Sequence, residues 1–190
     1  FFPQSDRGDP MGRSVWMEAF EAPGARGDIA FVPRWYTRYL YSADPRMWEA
    51  FIGTAAVSGH VPIHARDAMA NKQFCPYSCE QSPTVQGRVV SVEARPSINH
   101  NDAQGEDRMP GVGPSPLGGW SPDISHMPDF AFVPYLLTGD YYFLEELHFW
   151  ASVIVTSGNP SSDCDYCRHG DWGMFGGEIC GRAWGLRTLG

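Results

Sequence analysis

Two stretches of this chain share one helical pattern, and this repetition restricts the possible folds more than any other feature. The first, residues 31–59, reads FVPRWYTRYLYSADPRMWEAFIGTAAVSG; the second, residues 130–157, begins FAFVPYLLTGDYYFLEELHFW. Each contains Phe-Val-Pro and then a turn with an aspartate. Phe31 and Phe132 are 101 residues apart, and Ser58 and Ser157 are 99 apart. The spacing predicts an internal repeat of helical hairpins, too widely spaced for a short-period solenoid.

The second stretch predicts two helices joined by a tight turn. Gly139 can end one helix, and Asp140 can cap the next. Residues 130–137 form the shorter first helix, which tolerates Pro134 near its start. After the turn, a helical period predicts a buried stripe made of Leu144, Leu147, His148, Ala151, Ile154 and Val155. The same period places Glu145, Glu146 and Ser152 on the opposite side.

The first stretch predicts the same design. Asp44 is a candidate cap, and Pro45 suits the first position of a helix. Trp48, Phe51 and Ile52 begin its apolar stripe, and we expect them to be buried. Both stretches therefore predict antiparallel helical hairpins, at 31–59 and 125–158. A further helix begins at CGRAWGLRTLG, close to residue 190.

Composition limits the class of protein. The 190 residues suffice for one domain with a core, and a 43% hydrophobic, 14% aromatic chain is not a disordered one. The net charge of −8 without a basic run argues against a nucleic-acid partner. No apolar run is long enough to span a membrane. Both ends look cut, so residues 1–190 are interpreted as a single partial domain of a larger protein, which packs against the rest of its own chain.

Between the predicted hairpins the pattern changes. VPIHAR (61–66) and RVVSVE (88–93) predict two short strands, a small β insertion within residues 60–124. Residues 94–124 are dense in Gly, Pro, Asn and Asp, and residues 159–181 form a second loop rich in Cys and Gly. Loops this long in a compact domain are usually functional or disordered.

Five cysteines allow two interpretations. Cys75 and Cys79, with Cys164 and Cys167, can form disulfides, which suits an aromatic chain with a single lysine and predicts a secreted protein. The same residues with Cys180 and His169 can instead bind zinc, although the strands of a zinc ribbon are missing. We favour disulfides over zinc binding and over free thiols, and the sequence implies no catalytic metal and no cofactor.

Two clusters of polar residues are candidates for catalysis. A strand at 61–66 sends His64 and Arg66 to one face, with Asp67 at its end. Such a set can neutralise a uronate carboxylate and abstract the neighbouring proton, as a polysaccharide lyase requires. The alternative is structural: Arg66 and Asp67 form an ion pair and His64 caps the loop.

The second cluster, His126 and Asp129, precedes the second hairpin, with Asp123 nearby. Asp129 can serve as a cap, and His126 can be a base or a hydrogen-bond partner of the turn. If the hairpins pack side by side, both clusters lie on one rim. Asp123 is also a candidate substrate ligand, and the candidates for stacking on sugar rings are Trp120, Tyr135, Tyr141, Tyr142 and Trp172.

Paired helices with Leu-Thr-Gly-Asp turns, aromatic stripes and long loops resemble the (α/α) toroid proteins, which include polysaccharide lyases and many glycoside hydrolases. Four further stretches are GDIAFVPRWYTRYLYSADPRMWEAF, VPIHARD, SHMPDFAFVPYLLTGDYYFLEELHFWA and GRAWGLRTLG. They resemble large uncharacterised bacterial proteins predicted to be secreted, and this resemblance spans most of residues 24–190. The resemblance implies a mainly α fold, an incomplete (α/α) toroid, because about five helices are predicted where a ring has ten or more. It implies a polysaccharide or other glycan as partner.

Two functions therefore remain open. The chain is either part of a secreted carbohydrate-active enzyme, a polysaccharide lyase or glycoside hydrolase, or a non-catalytic helical module of an extracellular assembly. Nucleotide-binding, hydrolase-elbow and metalloprotease motifs are absent. Convergence of His64, Arg66, His126 and Asp129 on one concave, open pocket favours the enzyme, whereas dispersal or burial in satisfied pairs favours the module.

Overall fold

Helical residues make up 60% of the part of the chain that the computed structural model describes, namely residues 12, 14–16, 29–68, 84–98, 107, 124–126, 128–158 and 179–189. The helices are α1 (Arg34–Ser42), α2 (Pro45–Ala56), α3 (Phe132–Thr138), α4 (Tyr141–Thr156) and α5 (Ile179–Leu189). Short 3-10 helices lie at Val57–His60 and Ile124–His126. The prediction of a mainly α fold is confirmed.

The turn between α1 and α2 ends one helix and starts the next within two residues. Ala43 adopts a left-handed conformation (φ 51°), and its N–H donates to Tyr39 O at 2.8 Å. The Asp44 carboxylate accepts a hydrogen bond from Arg46 N at 2.8 Å, as predicted for the cap. The Ser42 hydroxyl accepts from Asp44 N at 3.2 Å, so this turn provides hydrogen-bond partners for the backbone N–H groups of Ala43, Asp44 and Arg46.

The turn between α3 and α4 repeats this arrangement 96 positions later. Gly139 is left-handed (φ 65°) and donates from its N–H to Tyr135 O at 2.8 Å. The Asp140 carboxylate accepts from Tyr142 N at 2.9 Å. The Thr138 hydroxyl accepts from Asp140 N at 3.1 Å, in the role of Ser42. Both connections thus use the same C-terminal and N-terminal caps.

The two helix pairs share one aromatic core. The Phe130 and Trp150 rings stack at 5.2 Å, and the Tyr36 hydroxyl donates to Phe130 O at 2.7 Å. Trp16 packs against Phe130 at 4.0 Å. The remaining large buried side chains of this core are Trp35, Phe51, Phe143 and Phe149. Contacts run between α1 and α2, α2 and α3, α3 and α4, and α4 and α5, so each helix packs on the next.

The buried face of α4 differs from the predicted stripe. Glu146 and Ser152, predicted to face outward, are buried, whereas Leu144, Leu147 and Ala151 are only partly buried. The reason is that α4 packs on more than one neighbour. Its buried residues are Phe143, Glu146, Phe149, Trp150, Ser152, Val153, Ile154 and Thr156.

In α2 the predicted burial holds in part. Phe51 is fully buried, whereas Trp48 and Ile52 pack at the edge of the core and are partly exposed. The Trp48 ring stacks on Phe51 at 5.2 Å. The stripe is therefore in the predicted place, and its outer members lie at the rim of the core.

The predicted strands at 61–66 and 88–93 reduce to one antiparallel bridge between Arg66 and Val89 in the part of the chain described. The backbone explains this. The N–H groups of Ile63 and Ala65 each donate to the carbonyl two residues earlier, at 2.8 Å, so they do not reach a partner strand. Ser91 O accepts from Arg95 N, and the second segment bends into a turn after it begins.

Candidate functional site

A histidine and a buried glutamate form the centre of the candidate site. His64 Nε2 lies 2.9 Å and 3.0 Å from the two carboxylate oxygens of Glu146 on α4. The Glu146 side chain is 4% exposed and that of His64 is 28% exposed. Since the carboxylate accepts, the Nε2 atom of His64 donates, and Nδ1 is the acceptor in the neutral ring. Such a pair fixes both the orientation and the tautomer of an imidazole.

Ser58 is a second hydrogen-bond partner of the Glu146 carboxylate, in addition to His64. Its hydroxyl donates to Glu146 Oε2 at 2.7 Å, and Trp150 Nε1 donates to the same hydroxyl at 3.3 Å. Ser58 is completely buried. A substrate therefore cannot reach it, and its role is to position Glu146 rather than to attack as a nucleophile.

The Tyr142 side chain of α4 forms hydrogen bonds with the backbone at the end of α2. Its hydroxyl donates to Ala56 O at 2.8 Å and accepts from Gly59 N at 2.9 Å. A Cβ atom on Gly59 would lie 2.7 Å from that hydroxyl oxygen, so the contact requires glycine. Burial and, secondarily, the charge of Glu146 raise the pKa of Tyr142 to about 12. Tyr142 thus remains a neutral donor that keeps Ser58 against Glu146.

Arg66 lies next to His64 on the same side of the segment, as predicted. Its guanidinium forms an ion pair with Glu145 and donates to Gly87 O at 3.0 Å. Phe149 connects the two residues: the Arg66 guanidinium lies 5.0 Å from the ring centre, and the His64 ring lies 4.8 Å away. His64 and Arg66 therefore meet on α4.

Asp67 points away from this pair. Its carboxylate binds Arg95 through two hydrogen bonds, at 2.9 Å and 3.2 Å. The side chains are 1% and 9% exposed, respectively. The structural ion pair expected between Arg66 and Asp67 is thus replaced by two pairs, Arg66 with Glu145 and Asp67 with Arg95.

An open cavity of about 370 Å³ adjoins the Arg66 and Glu145 pair. Its charged and aromatic lining comes from α4, with Tyr141, Glu145 and His148, and from Arg66 and Arg88 at the bridge. Among the described residues that line the cavity, two guanidinium groups accompany one carboxylate, in a chain of net charge −8. Such a lining suits a small anionic group.

A second concavity, an apolar groove of about 500 Å³, continues from the cavity. Both share Val89, Ser91 and His148. The groove is otherwise lined mainly by aliphatic residues, namely Val90, Val92, Ala151, Val155 and Leu189. The Ser152 hydroxyl donates to Val90 O at 2.7 Å and fixes this segment on α4.

Asp129 lies apart from these residues, at the start of α3. Its Oδ1 atom accepts hydrogen bonds from Ala131 N at 3.2 Å and Phe132 N at 3.0 Å, which is the capping role considered for it. Asp129 is 6% exposed, and this burial raises its pKa, against the opposing attraction of Arg187 on α5. Its contacts are those of a structural residue.

His126 belongs to the 3-10 helix that packs on α5, where a Cβ atom on Gly181 would lie 3.3 Å from Ser125 Oγ. The four predicted catalytic residues thus lie in three different places, and only His64 and Arg66 are together. His64 and Arg66 bind the two glutamates of α4, Asp129 binds the first turn of α3, and His126 lies beside α5.

Asp129→Asn is expected to raise the melting temperature at neutral pH. The pKa of Asp129 is higher in the folded protein than in the unfolded chain, so the folded state favours the protonated carboxyl. The stability that this proton contributes is lost as the pH rises through the folded-state pKa. Asparagine retains the Oδ1 acceptor and carries no charge. The groups that act on Asp129 are Arg187 and Tyr36.

The check is a series of melting curves from acid to neutral pH. The advantage of the Asn variant should shrink as the wild-type carboxyl becomes protonated, and Asp129→Ala, which loses both backbone hydrogen bonds, should be the least stable of the three. An Asn variant that melts below the wild type at neutral pH would contradict the expectation.

The other predicted ligands lie mostly outside the described residues. These are Trp120, Asp123 and Trp172 for the glycan, and Cys75, Cys79, Cys164 and Cys167 for the disulfides. Tyr135 is described and packs, partly buried, against the aromatic core. Within the described ranges no group of three His, Cys, Asp or Glu side chains is placed to hold a metal ion.

Glu146 and Ser58 were missed as site residues, although the sequence holds a signal for Glu146. It lies three residues after Phe143, three before Phe149 and four before Trp150, on an aromatic face of the helix. A buried carboxylate among aromatic residues needs a polar partner, so this position of Glu146 marks it as a candidate site residue. Ser58 carried no such signal, because its partner is 88 residues away.

Comparisons of the chain with protein-family models, with curated proteins and with solved structures found no match. Among the residues described, no helix combines the length and apolar character needed to cross a membrane.

Proposed function

We propose that this chain is part of a secreted carbohydrate-active enzyme that cleaves uronate-containing polysaccharides by elimination. The observation that carries the proposal is the His64–Glu146 pair, because His64 packs on the Phe149 ring together with Arg66, and Arg66 lines the cavity with Arg88. A carboxylate that orients a partly exposed imidazole is the arrangement of a general base. Paired arginines are the groups that recognise and neutralise a carboxylate.

The roles follow from these positions. Arg66 and Arg88 neutralise the uronate carboxylate, which makes the proton on the adjacent carbon more acidic. His64 takes that proton at Nδ1 while Glu146 stabilises the resulting imidazolium. The carbon–carbon double bond forms as the bond to the leaving oxygen breaks. Tyr141, 68% exposed on the cavity, supplies a proton to that oxygen.

The ion pair between Arg66 and Glu145 is compatible with this role. Their side chains are 43% and 34% exposed, so the pair lies at the surface and contributes little stability. A substrate carboxylate can therefore replace Glu145 as the partner of Arg66 at small cost. Glu145 then remains as a hydrogen-bond acceptor for sugar hydroxyls.

The fold of the enzyme is proposed to be an incomplete (α/α) toroid of antiparallel hairpins. Two observations support it. The α1–α2 and α3–α4 connections have the same caps, and each helix packs on the next along the chain. The extracellular location is supported by the chain's five cysteines and single lysine, Lys72.

The test is incubation of the full-length protein with uronate-containing and neutral polysaccharides. We expect unsaturated products that absorb in the ultraviolet from the acidic polymers alone. His64→Ala should lower kcat/KM by roughly 10²–10⁴, the usual contribution of a general base. Arg66→Ala should raise KM as well as lower kcat.

The matched control is Arg46→Ala. Arg46 also pairs with a carboxylate, Asp44, but 84% of its side chain is exposed, in the α1–α2 connection. This variant should retain full activity. His126→Ala tests the other predicted base and should also retain it. Reducing ends without unsaturated product would mean hydrolysis, and unchanged turnover in His64→Ala would reject His64 as the base.

A second candidate function, the non-catalytic extracellular module, has its own observation. Arg66 and Asp67 are engaged in ion pairs with Glu145 and Arg95, and His64 is hydrogen-bonded to Glu146. The predicted catalytic residues His126 and Asp129 lie elsewhere, which is the dispersal expected for a module. In that case no polysaccharide is cleaved by the wild type, and His64→Ala lowers the melting temperature as its only effect.

A further inference from the structure

The arginine-lined cavity and the apolar groove adjoin each other and together form one depression. Val89, Ser91 and His148 line both, so these three residues form the boundary between them. His148 is exposed at the junction. A ligand of sufficient length can therefore lie across both.

The two parts have opposite chemical character. The described lining of the cavity includes two guanidinium groups, one carboxylate and the exposed Tyr141, and guanidinium groups favour a polar group with negative charge. In the groove, aliphatic side chains from α4, α5 and the 89–93 segment dominate, and Glu93 is its only acid among the described residues that line it. Apolar surface of this kind favours a hydrocarbon or an aromatic ring.

We propose that this depression binds an amphiphilic acidic sugar, with its carboxylate beside Arg66 and Arg88 and an apolar substituent along Val92, Ala151 and Val155. The sugar part of the ligand rests on the proposed function. The apolar part goes beyond it and distinguishes this site from one that accepts only unsubstituted polyuronate chains.

Three small probes separate the contributions of the cavity and the groove. Glucuronate has the carboxylate without an apolar substituent, and octyl glucoside has the octyl chain on an uncharged sugar. Octyl glucuronide has both the carboxylate and the octyl chain. Calorimetry below the micelle concentration should give octyl glucuronide at least tenfold tighter binding than either of the others. Shortening octyl to hexyl should weaken binding by roughly tenfold, because each buried methylene contributes about 0.8 kcal/mol.

Two variants test which part of the depression binds the carboxylate and which binds the apolar chain. Arg88→Gln should remove most of the difference in affinity between octyl glucuronide and octyl glucoside. It should leave the dependence of affinity on chain length unchanged. Val155→Asn should remove the effect of chain length and leave glucuronate binding unchanged; Val92→Asn is the second variant if α4 does not tolerate the change. Arg46→Gln, remote from the depression, should bind all three probes as the wild type does.

Equal affinity for octyl glucuronide and glucuronate would overturn the proposal, as would equal affinity for octyl glucuronide and octyl glucoside. These measurements do not require turnover. A protein that binds octyl glucuronide as described but cleaves no polysaccharide would reject the proposed reaction and retain this site. A protein that cleaves polyuronates and is indifferent to the octyl group would do the opposite.

Discussion

Arg95→Met is expected to lower the free energy of unfolding by about 3–5 kcal/mol, since it leaves the buried charge of Asp67 without its guanidinium partner. The Asp67 side chain is 1% exposed and that of Arg95 is 9% exposed. Removal of one member of such a buried pair is strongly destabilising, because the remaining charge loses the opposite charge that offset its burial. The measurement is denaturant unfolding of the wild type and the variant.

Two further variants make this result specific. Asp67→Asn combined with Arg95→Met should recover part of the lost stability, because no uncompensated charge remains. Arg46→Met breaks a pair with nearly the same geometry on the surface and should leave the unfolding midpoint unchanged. A loss in Arg95→Met no greater than that in Arg46→Met would show that the buried pair contributes little.

Trp150→Ala is expected to cost about 3–5 kcal/mol of stability, as large-to-small changes of buried aromatic residues do. Trp150 is 2% exposed, stacks on Phe130 at 5.2 Å and donates to Ser58 at 3.3 Å. Its loss opens a cavity and frees the hydroxyl that positions Glu146. Thermal and denaturant unfolding measure the effect.

The components of this loss can be separated. Trp150→Phe retains a stacked ring but removes the Nε1 donor and part of the buried ring volume, so we expect its stability to lie between those of the wild type and the Ala variant. Tyr41→Ala, at a side chain that is 94% exposed, should fall within about 0.5 kcal/mol of the wild type. A Trp150→Ala variant as stable as Tyr41→Ala would mean that the core has repacked.

Features set by neighbouring residues were predicted well from the sequence. The Asp44 and Asp140 caps and the Gly139 helix end depend on contacts within four residues, so local chemistry decides them. The strands at 61–66 and 88–93 were predicted from β-branched composition. They did not form because backbone groups at Ile63 and Ala65 found closer partners.

Features set by distant residues were predicted in part or missed. His64 and Arg66 were correctly placed on one face, because alternation along an extended segment is local. Their partners Glu145 and Glu146 were not predicted. A helical period alone does not show which faces of a helix will be covered by other parts of the protein. Only the packing of α4 against both its helical neighbours and residue 90 reveals that Glu146 points inward.

The repeated turns also have a consequence for the order of folding. Each helix pair closes through a connection of two residues, so its contacts require almost no loop closure and can form within microseconds. The bonds from Tyr142 to Gly59 and from Ser58 to Glu146 instead join positions 83 and 88 residues apart, and they carry the entropy cost of closing a long loop. We therefore expect the two pairs to form first as separate units. The candidate site would then be assembled only when they dock.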